Sequence, residues 1–190
     1  MISETGFIST AKILNVEPAV IKAVAEVESR GEGFLNDKPL ILFEPHIFWK
    51  QLKTAGLNPA DHVKGNEDIL YQKWRPKTYG PISKQHERME RAAKINRTAA
   101  LLSASWGRFQ IMGFNWKQCG CDNLQEFINA MYKSEDEHLR LFCNYIQCCS
   151  LDTPLRNKNW AMFAKRYNGS GYLSNKYDTK LQAAYEKYRN

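Results

Sequence analysis

The apolar positions of this chain recur mainly at helical spacing. Between Pro18 and Glu28, the residues Val20, Ile21, Val24 and Val27 fall on one stripe, and Pro18 suits the first turn of a helix. A short helix is predicted before it, from Thr10 to Leu14, ending near Asn15. Residues 31–38 hold Gly31, Gly33, Asn36 and Asp37 and predict a turn or loop. The run from Pro39 to Glu44 is short, apolar and closed by Pro45, which predicts a strand or extended segment. Residues 56–85 carry Gly56, Pro59, Gly65, Pro76, Gly80 and Pro81, so a long irregular stretch is expected there, with aromatics at Tyr71, Trp74 and Tyr79. Long loops in compact domains are often binding elements.

From Ser83 to Leu102 the composition is helical. Asp122 is expected to cap a helix bearing Leu124, Phe127, Ile128 and Met131. Ser134-Glu135-Asp136-Glu137 has the capping-box pattern ahead of Leu139, Phe142, Cys143 and Ile146. Asn159 is placed to cap a helix with Trp160, Phe163, Ala164 and Tyr167 at i, i+3, i+4 and i+7, stopping at Asn168-Gly169. A last helix carries Tyr177, Leu181, Ala184, Tyr185 and Tyr188. No repeat, low-complexity run or linker interrupts this order. The expected architecture is mainly α, one compact helical domain over residues 1–190 with a small extended or β element around residues 38–46.

Length and composition agree with that reading: 190 residues, 43% hydrophobic and 25% charged, are ordinary for one soluble domain. The net charge of +7 is unevenly placed. From Arg156 onward there are eight Lys or Arg against Asp178 and Glu186, a local excess of +6. A basic surface concentrates anionic partners, and nucleic acid, anionic lipid and anionic wall polymers all qualify. The start carries no basic n-region and no long apolar run, so a leaderless protein made in a cytoplasm is expected. The five cysteines lie between residues 119 and 149, and an odd count argues against a disulfide framework. Their C-x-C and C-C spacings are not those of structural zinc sites, so reduced, mostly buried thiols and no metal are expected.

The candidate chemistry lies in three segments. On a helical wheel with Ile21 at zero, Val20, Val24 and Val27 fall at about 260°, 300° and 240°, and Glu28 near 340°, within about 50° of the centre of that apolar stripe. Glu26 falls near 140°, on the far side with Lys22. A carboxyl against apolar walls has its ionised form disfavoured, which suits a general acid near neutral pH. About eighty residues later comes Ser105-Trp106-Gly107-Arg108-Phe109-Gln110-Ile111-Met112. Gly107 permits an unusual backbone angle, and Gln110, between Phe109 and Ile111, needs hydrogen-bond partners that an N-acetyl sugar or a neighbouring backbone group would supply. The third segment is Tyr167-Asn168-Gly169, with the tyrosine on the apolar face of its helix. No nucleotide loop, HExxH or GxSxG elbow is present, so no cofactor is expected.

In this order, Glu28-Ser29-x-Gly31, Ser105-x-Gly107-x-x-Gln110-Ile111-Met112 and Tyr167-Asn168-Gly169 resemble the signature of goose-type lysozymes and soluble lytic transglycosylases. Ala23 to Gly31, Ile41-Leu42-Phe43-Glu44-Pro45-His46, Ala104 to Met112 and Phe163 to Gly169 are similar to the N-acetylmuramidase domain of bacteriophage endolysins. The resemblance spans roughly residues 8–188 and departs from the usual Gly or Pro at Ser170. It implies a lysozyme-like α+β fold and cleavage of the β-1,4 bond between N-acetylmuramic acid and N-acetylglucosamine in peptidoglycan. It carries the catalytic acid onto Glu28 and places Ser105, Gln110, Tyr167 and Asn168 around the cleft as substrate or positioning groups. Glycoside hydrolysis usually takes a second carboxylate, for which Glu44 is the first candidate and Asp37 the second. Without one, attack by the muramic acid 6-hydroxyl would make the protein a lytic transglycosylase with 1,6-anhydro products.

As an endolysin the chain would act as a monomer on the wall after holin-dependent release from a host cytoplasm. No separate wall-binding module is expected, and the basic C-terminal helix is the candidate contact to lipopolysaccharide or another anionic envelope polymer. The distant alternatives are a silent wall binder and a single-strand nucleic-acid surface built on Tyr172, Tyr177, Tyr185 and Tyr188. No nucleic-acid partner is expected.

Overall fold

Polar residues that can turn the backbone or cap it end the helices where the apolar stripe stops. The computed structural model describes residues 1–29, 32–75 and 78–189. Helix α1 (Glu4–Leu14) starts at Ser3, whose hydroxyl accepts the Gly6 N–H, and ends at Asn15 in the left-handed region at φ 54°. The expected helix began only at Thr10. Its first two turns lack a continuous apolar stripe and are held by the Ser3 cap. Helix α2 (Pro18–Ser29) begins at Pro18 as expected, and Val20, Ile21, Ala23, Val24 and Ala25 are buried.

Residues 32–44 are more ordered than a loop. Strands β1 (Phe34–Leu35) and β2 (Lys38–Pro39) form a hairpin turned at Asn36 and Asp37, both with positive φ. Such a two-residue turn suits Asn and Asp. Arg30 and Gly31 of the first signature segment lie outside the described residues. Strand β3 (Ile41–Phe43) falls in the expected extended element, and Pro45 then starts helix α3 (Pro45–Thr54). Read only as a stop, Pro45 hid that helix, although proline at the first helical position is favourable.

Residues 56–75 and 78–84 are irregular apart from short 3-10 turns at Pro59–His62 and Ile82–Lys84, and Pro76 lies outside the described residues. Helix α4 (Gln85–Leu102) is broken at Asn96, where φ and ψ are −155° and 109°; the Asn96 side chain accepts the Ala99 N–H and recaps the second half. Strands β4 (Ala104–Trp106) and β5 (Ile111–Met112) follow. The antiparallel sheet has the order β3-β4-β5, pairing Leu42 with Ser105 and Ser105 with Met112.

Helix α5 (Leu124–Lys133) is capped by Asn123, whose side chain accepts the Glu126 N–H, and not by Asp122. The two residues are adjacent and chemically alike, so composition could not separate them. Helix α6 (Glu135–Cys148) is capped by Ser134 through the Glu137 N–H, while the Glu137 carboxylate turns outward to Lys133 and Arg140. Helices α7 (Asp152–Arg156), α8 (Trp160–Asn168, capped by Asn159) and α9 (Tyr177–Arg189) complete the chain. The fold is therefore mainly α with a small antiparallel sheet.

The core runs between α2, α6, α8 and the sheet. Trp106, Phe109, Phe142 and Phe163 are buried, and the Phe109 and Phe142 rings stack at 4.3 Å. Helix α9 packs along α2, where Lys187 and Tyr188 donate to Glu26. Among the described residues no helix is long and apolar enough to cross a membrane. Three thiols are buried, at Cys119, Cys121 and Cys143; Cys149 is half-buried and Cys148 exposed. Burial pushes Cys121 and Cys143 up to about 11, and Cys119 higher still. Since the thiolate is the reacting form, native-state alkylation should modify Cys148 first and Cys119 only after unfolding. Mass spectrometry of a labelling time course checks this, and early modification of Cys119 would contradict its burial.

Candidate active site

Glu28 sits in the last turn of α2, on the edge of the stripe that buries Ile21 and Val24. Its carboxyl is partly buried and meets the end of α8, where Asn168 Nδ2 donates to Glu28 Oε1 at 3.0 Å. Burial pushes this carboxyl up to about 7, against the Asn168 hydrogen bond, which favours the ionised form. The preceding residue, Tyr167, donates its hydroxyl to the Phe109 carbonyl at 2.8 Å. Its pKa is pushed well up by burial and then by the nearby Glu28 charge, so it stays a neutral donor. The two side chains of one helix end thus touch the acid and the second signature segment.

That second segment is a hairpin turn. Gly107 has φ 65°, and a Cβ there would lie 2.8 Å from His138 and 2.9 Å from Met131 Sδ, so only glycine fits. Gln110 adopts φ 49°, uncommon for a side-chain-bearing residue and costing on the order of 1–3 kcal/mol. Its own amide offsets this: Oε1 accepts from Ser105 Oγ at 2.8 Å, and Nε2 donates to the Gly107 carbonyl at 2.9 Å. Ser105 and Gln110 are therefore joined to each other, and in this arrangement they shape the turn.

Glu44 closes β3 and precedes α3; its backbone N–H bonds to Ser103 and its side chain makes no capping bond. The Tyr79 hydroxyl donates to Glu44 Oε2 at 3.2 Å. Burial pushes the Glu44 carboxyl up, while the Tyr79 hydrogen bond works the other way. His46 Nδ1 lies 3.5 Å from the same oxygen, yet this buried atom has no hydrogen-bond partner among the described residues. The ring is neutral at that site, because burial and Lys50 lower its pKa, so the short distance is no salt bridge. Tyr79 is in turn fixed by Gln85 and Arg88, which donate to its carbonyl at 2.6 and 2.8 Å. Asp37 stands at the tip of the β1–β2 turn and is exposed.

A family model described as "Muramidase: N-acetylmuramidase" matches residues 17–189. The chain belongs to the N-acetylmuramidase family. It is a glycoside hydrolase acting on peptidoglycan. Among solved structures it is similar to the crystal structure of the Burkholderia AP3 phage endolysin, with a TM-score of 0.90 and 37% identity over 99% of this chain and 71% of that one. No curated protein matches the chain.

Several groups around this candidate site had no functional signal of their own in the sequence. Tyr79 was only one aromatic of a long loop. Glu135 read as part of a helix start, and His138 was not singled out. What brings them in is chain reversal, which no local pattern encodes. Asn168 allows a direct check on the acid: Asn168→Ala removes the bond that favours ionised Glu28, so the alkaline limb of activity should move to higher pH. A pH–rate profile with an unmoved limb would remove Asn168 from the site.

Proposed function

We propose that Glu28 is the general acid that protonates the glycosidic oxygen of the N-acetylmuramic acid–N-acetylglucosamine bond, and that the reaction is hydrolysis of the lysozyme type. The observation that carries this is one carboxyl, partly buried at a helix end and pushed up to about 7, with a side-chain hydrogen bond from Asn168. Such a group keeps its proton near neutral pH and can release it when negative charge develops on a leaving oxygen. Tyr167, Ser105 and Gln110 support it by holding the turn that borders the acid.

Glu44 is the second carboxylate in this reading. It ends the strand that pairs with the one bearing Ser105, and Tyr79 orients its Oε2. Its role, nucleophile or base for water, follows from the stereochemistry of the product. The enzyme acts as a monomer, on the wall, after release from the cytoplasm in which it is made. Contact with an anionic envelope polymer would fall to Lys165, Lys176 and Lys180. Among the described residues, Lys158, Lys187, Arg156 and Arg189 already pair with carboxylates, and Arg166 donates to the Ser150 and Cys149 carbonyls.

The test is mass spectrometry of fragments released from purified peptidoglycan by wild type, Glu28→Gln and Glu44→Gln. Reducing muramic-acid ends that vanish in Glu28→Gln are the expected result. Anhydro ends would change the reaction to transglycosylation and remove Glu44 from it. Reducing glucosamine ends would place the cut at the other glycosidic bond.

A further inference from the structure

We infer that Glu135 and His138, one turn apart on α6, are positioning residues for the cleavage reaction: they brace the 106–110 turn against the segment that follows Glu28. This rests on the reading of Glu28 as the acid and adds two side chains that touch neither acid nor substrate.

The brace has contacts on both sides. Glu135 is buried; its Oε1 accepts the Gly33 N–H at 2.7 Å and its Oε2 accepts from Arg108 Nη1 at 3.0 Å, with the Met1 amine 3.3 Å away. Burial alone would push this carboxyl up, but the Gly33 N–H and the Arg108 guanidinium outweigh it and hold it below the usual carboxylate range. His138 is fully buried, its Nδ1 accepting the Arg108 backbone N–H at 3.1 Å and its Nε2 donating to the Met131 carbonyl at 2.7 Å. Those two bonds require the neutral ring with its proton on Nε2. Burial keeps it neutral, with Glu135, Arg108 and Glu137 as the charged neighbours. The ring also stacks on Phe34 at 5.0 Å.

Both glycines that meet here are shaped by these two residues. A Cβ on Gly33 would lie 2.8 Å from His138 Nδ1 and 3.0 Å from Glu135 Oε1, and one on Gly107 would lie 2.8 Å from the His138 ring. These contacts, together with the covalent chain from α2 to Gly33, join the elements into a ring. Glu28 on α2 meets Asn168 and Tyr167 on α8; Tyr167 holds Phe109; Arg108 is held by Glu135 and His138 on α6; and Glu135 holds Gly33, on the stretch leading away from α2. A small displacement of reacting groups costs turnover steeply. Loosening the ring would also admit water to the Glu28 carboxyl and lower its pKa.

The experiment is turnover, pH–rate profile and thermal midpoint for wild type, Glu135→Gln, His138→Ala, His138→Asn and Gly33→Ala, with Glu28→Gln and a remote core control, Leu52→Ala. Glu135→Gln, His138→Ala and Gly33→Ala should lower kcat about tenfold or more. They should also move the alkaline limb to lower pH by about half a unit. His138→Asn keeps an acceptor near the Nδ1 position and should restore most of both. Leu52→Ala should lower the midpoint and leave the limb in place. An unmoved limb in the folded variants among the three, or a limb that Leu52→Ala moves equally, overturns the brace. Full turnover in Glu28→Gln instead overturns the acid, and the brace with it.

Discussion

Glu28→Gln should cut turnover on purified peptidoglycan by about 10³-fold, within the range of roughly 10²–10⁴ for loss of a positioned general acid. Glutamine keeps the size of the side chain and an oxygen for Asn168, so the packing of α2 against α8 survives. What it lacks is a proton that can be transferred. A glycosidic oxygen is a poor leaving group without one, and the remaining site offers only binding and orientation. Wall binding should stay within a small factor of wild type, because exchanging a carboxyl for an amide of the same size leaves the rest of the cleft intact. Release of new reducing ends measures the effect. Residual turnover within tenfold of wild type would end the assignment of Glu28.

The same carboxyl should make wild type and Glu28→Gln differ in stability in a pH-dependent way. In the unfolded chain Glu28 titrates near 4.5; in the folded protein burial pushes it up to about 7. Below about pH 4.5 both states hold the proton and the burial of the group costs little. As pH rises toward 7, the unfolded chain gives up its proton first, so the folded state loses stability relative to it. Above 7 the folded state carries a partly buried carboxylate and the loss is complete, on the order of 3 kcal/mol.

Glu28→Gln does not titrate and avoids this loss. It should be more stable than wild type at pH 8 by up to that amount and close to it at pH 4, as read by urea unfolding at both values. Comparing the two proteins cancels groups such as Glu17, Glu26 and Glu137, whose hydrogen-bonded lysine partners pull their pKa values down and which favour folding as pH rises. Equal stability of the two proteins at pH 8 would mean that the Glu28 carboxyl is solvated. Activity should also fall above about pH 7, because the acid then lacks its proton.

The stripe of Val20, Ile21, Val24 and Val27 already placed Glu28 on the buried face and Glu26 outside it, because a helix repeats every 3.6 residues. The caps at Ser134 and Asn159, the stop at Asn15 and the start at Pro18 were legible for the same reason: each is a local bond or a backbone preference. The mainly α character and the extended element near Ile41 to Phe43 followed from those local periods. Helix α3 was missed because Pro45 both ends a strand and begins a helix, and the break at Asn96 because a strong helical composition surrounds it.

Other features depended on contacts between residues far apart in the chain. The raised pKa of Glu28 depends on how completely the fold buries it, and its hydrogen bond from Asn168 comes from a residue 140 positions away. The Gln110 amide needed partners that a sugar or a neighbouring backbone group could supply, and the hairpin turned it onto Ser105 and the Gly107 carbonyl. Glu135 carries only the mark of a helix start, and His138 carries none. Periodicity determines which side of an element is buried, but electrostatics and hydrogen bonding act over a few ångströms of space. Only the tertiary fold decides which distant groups come within that reach.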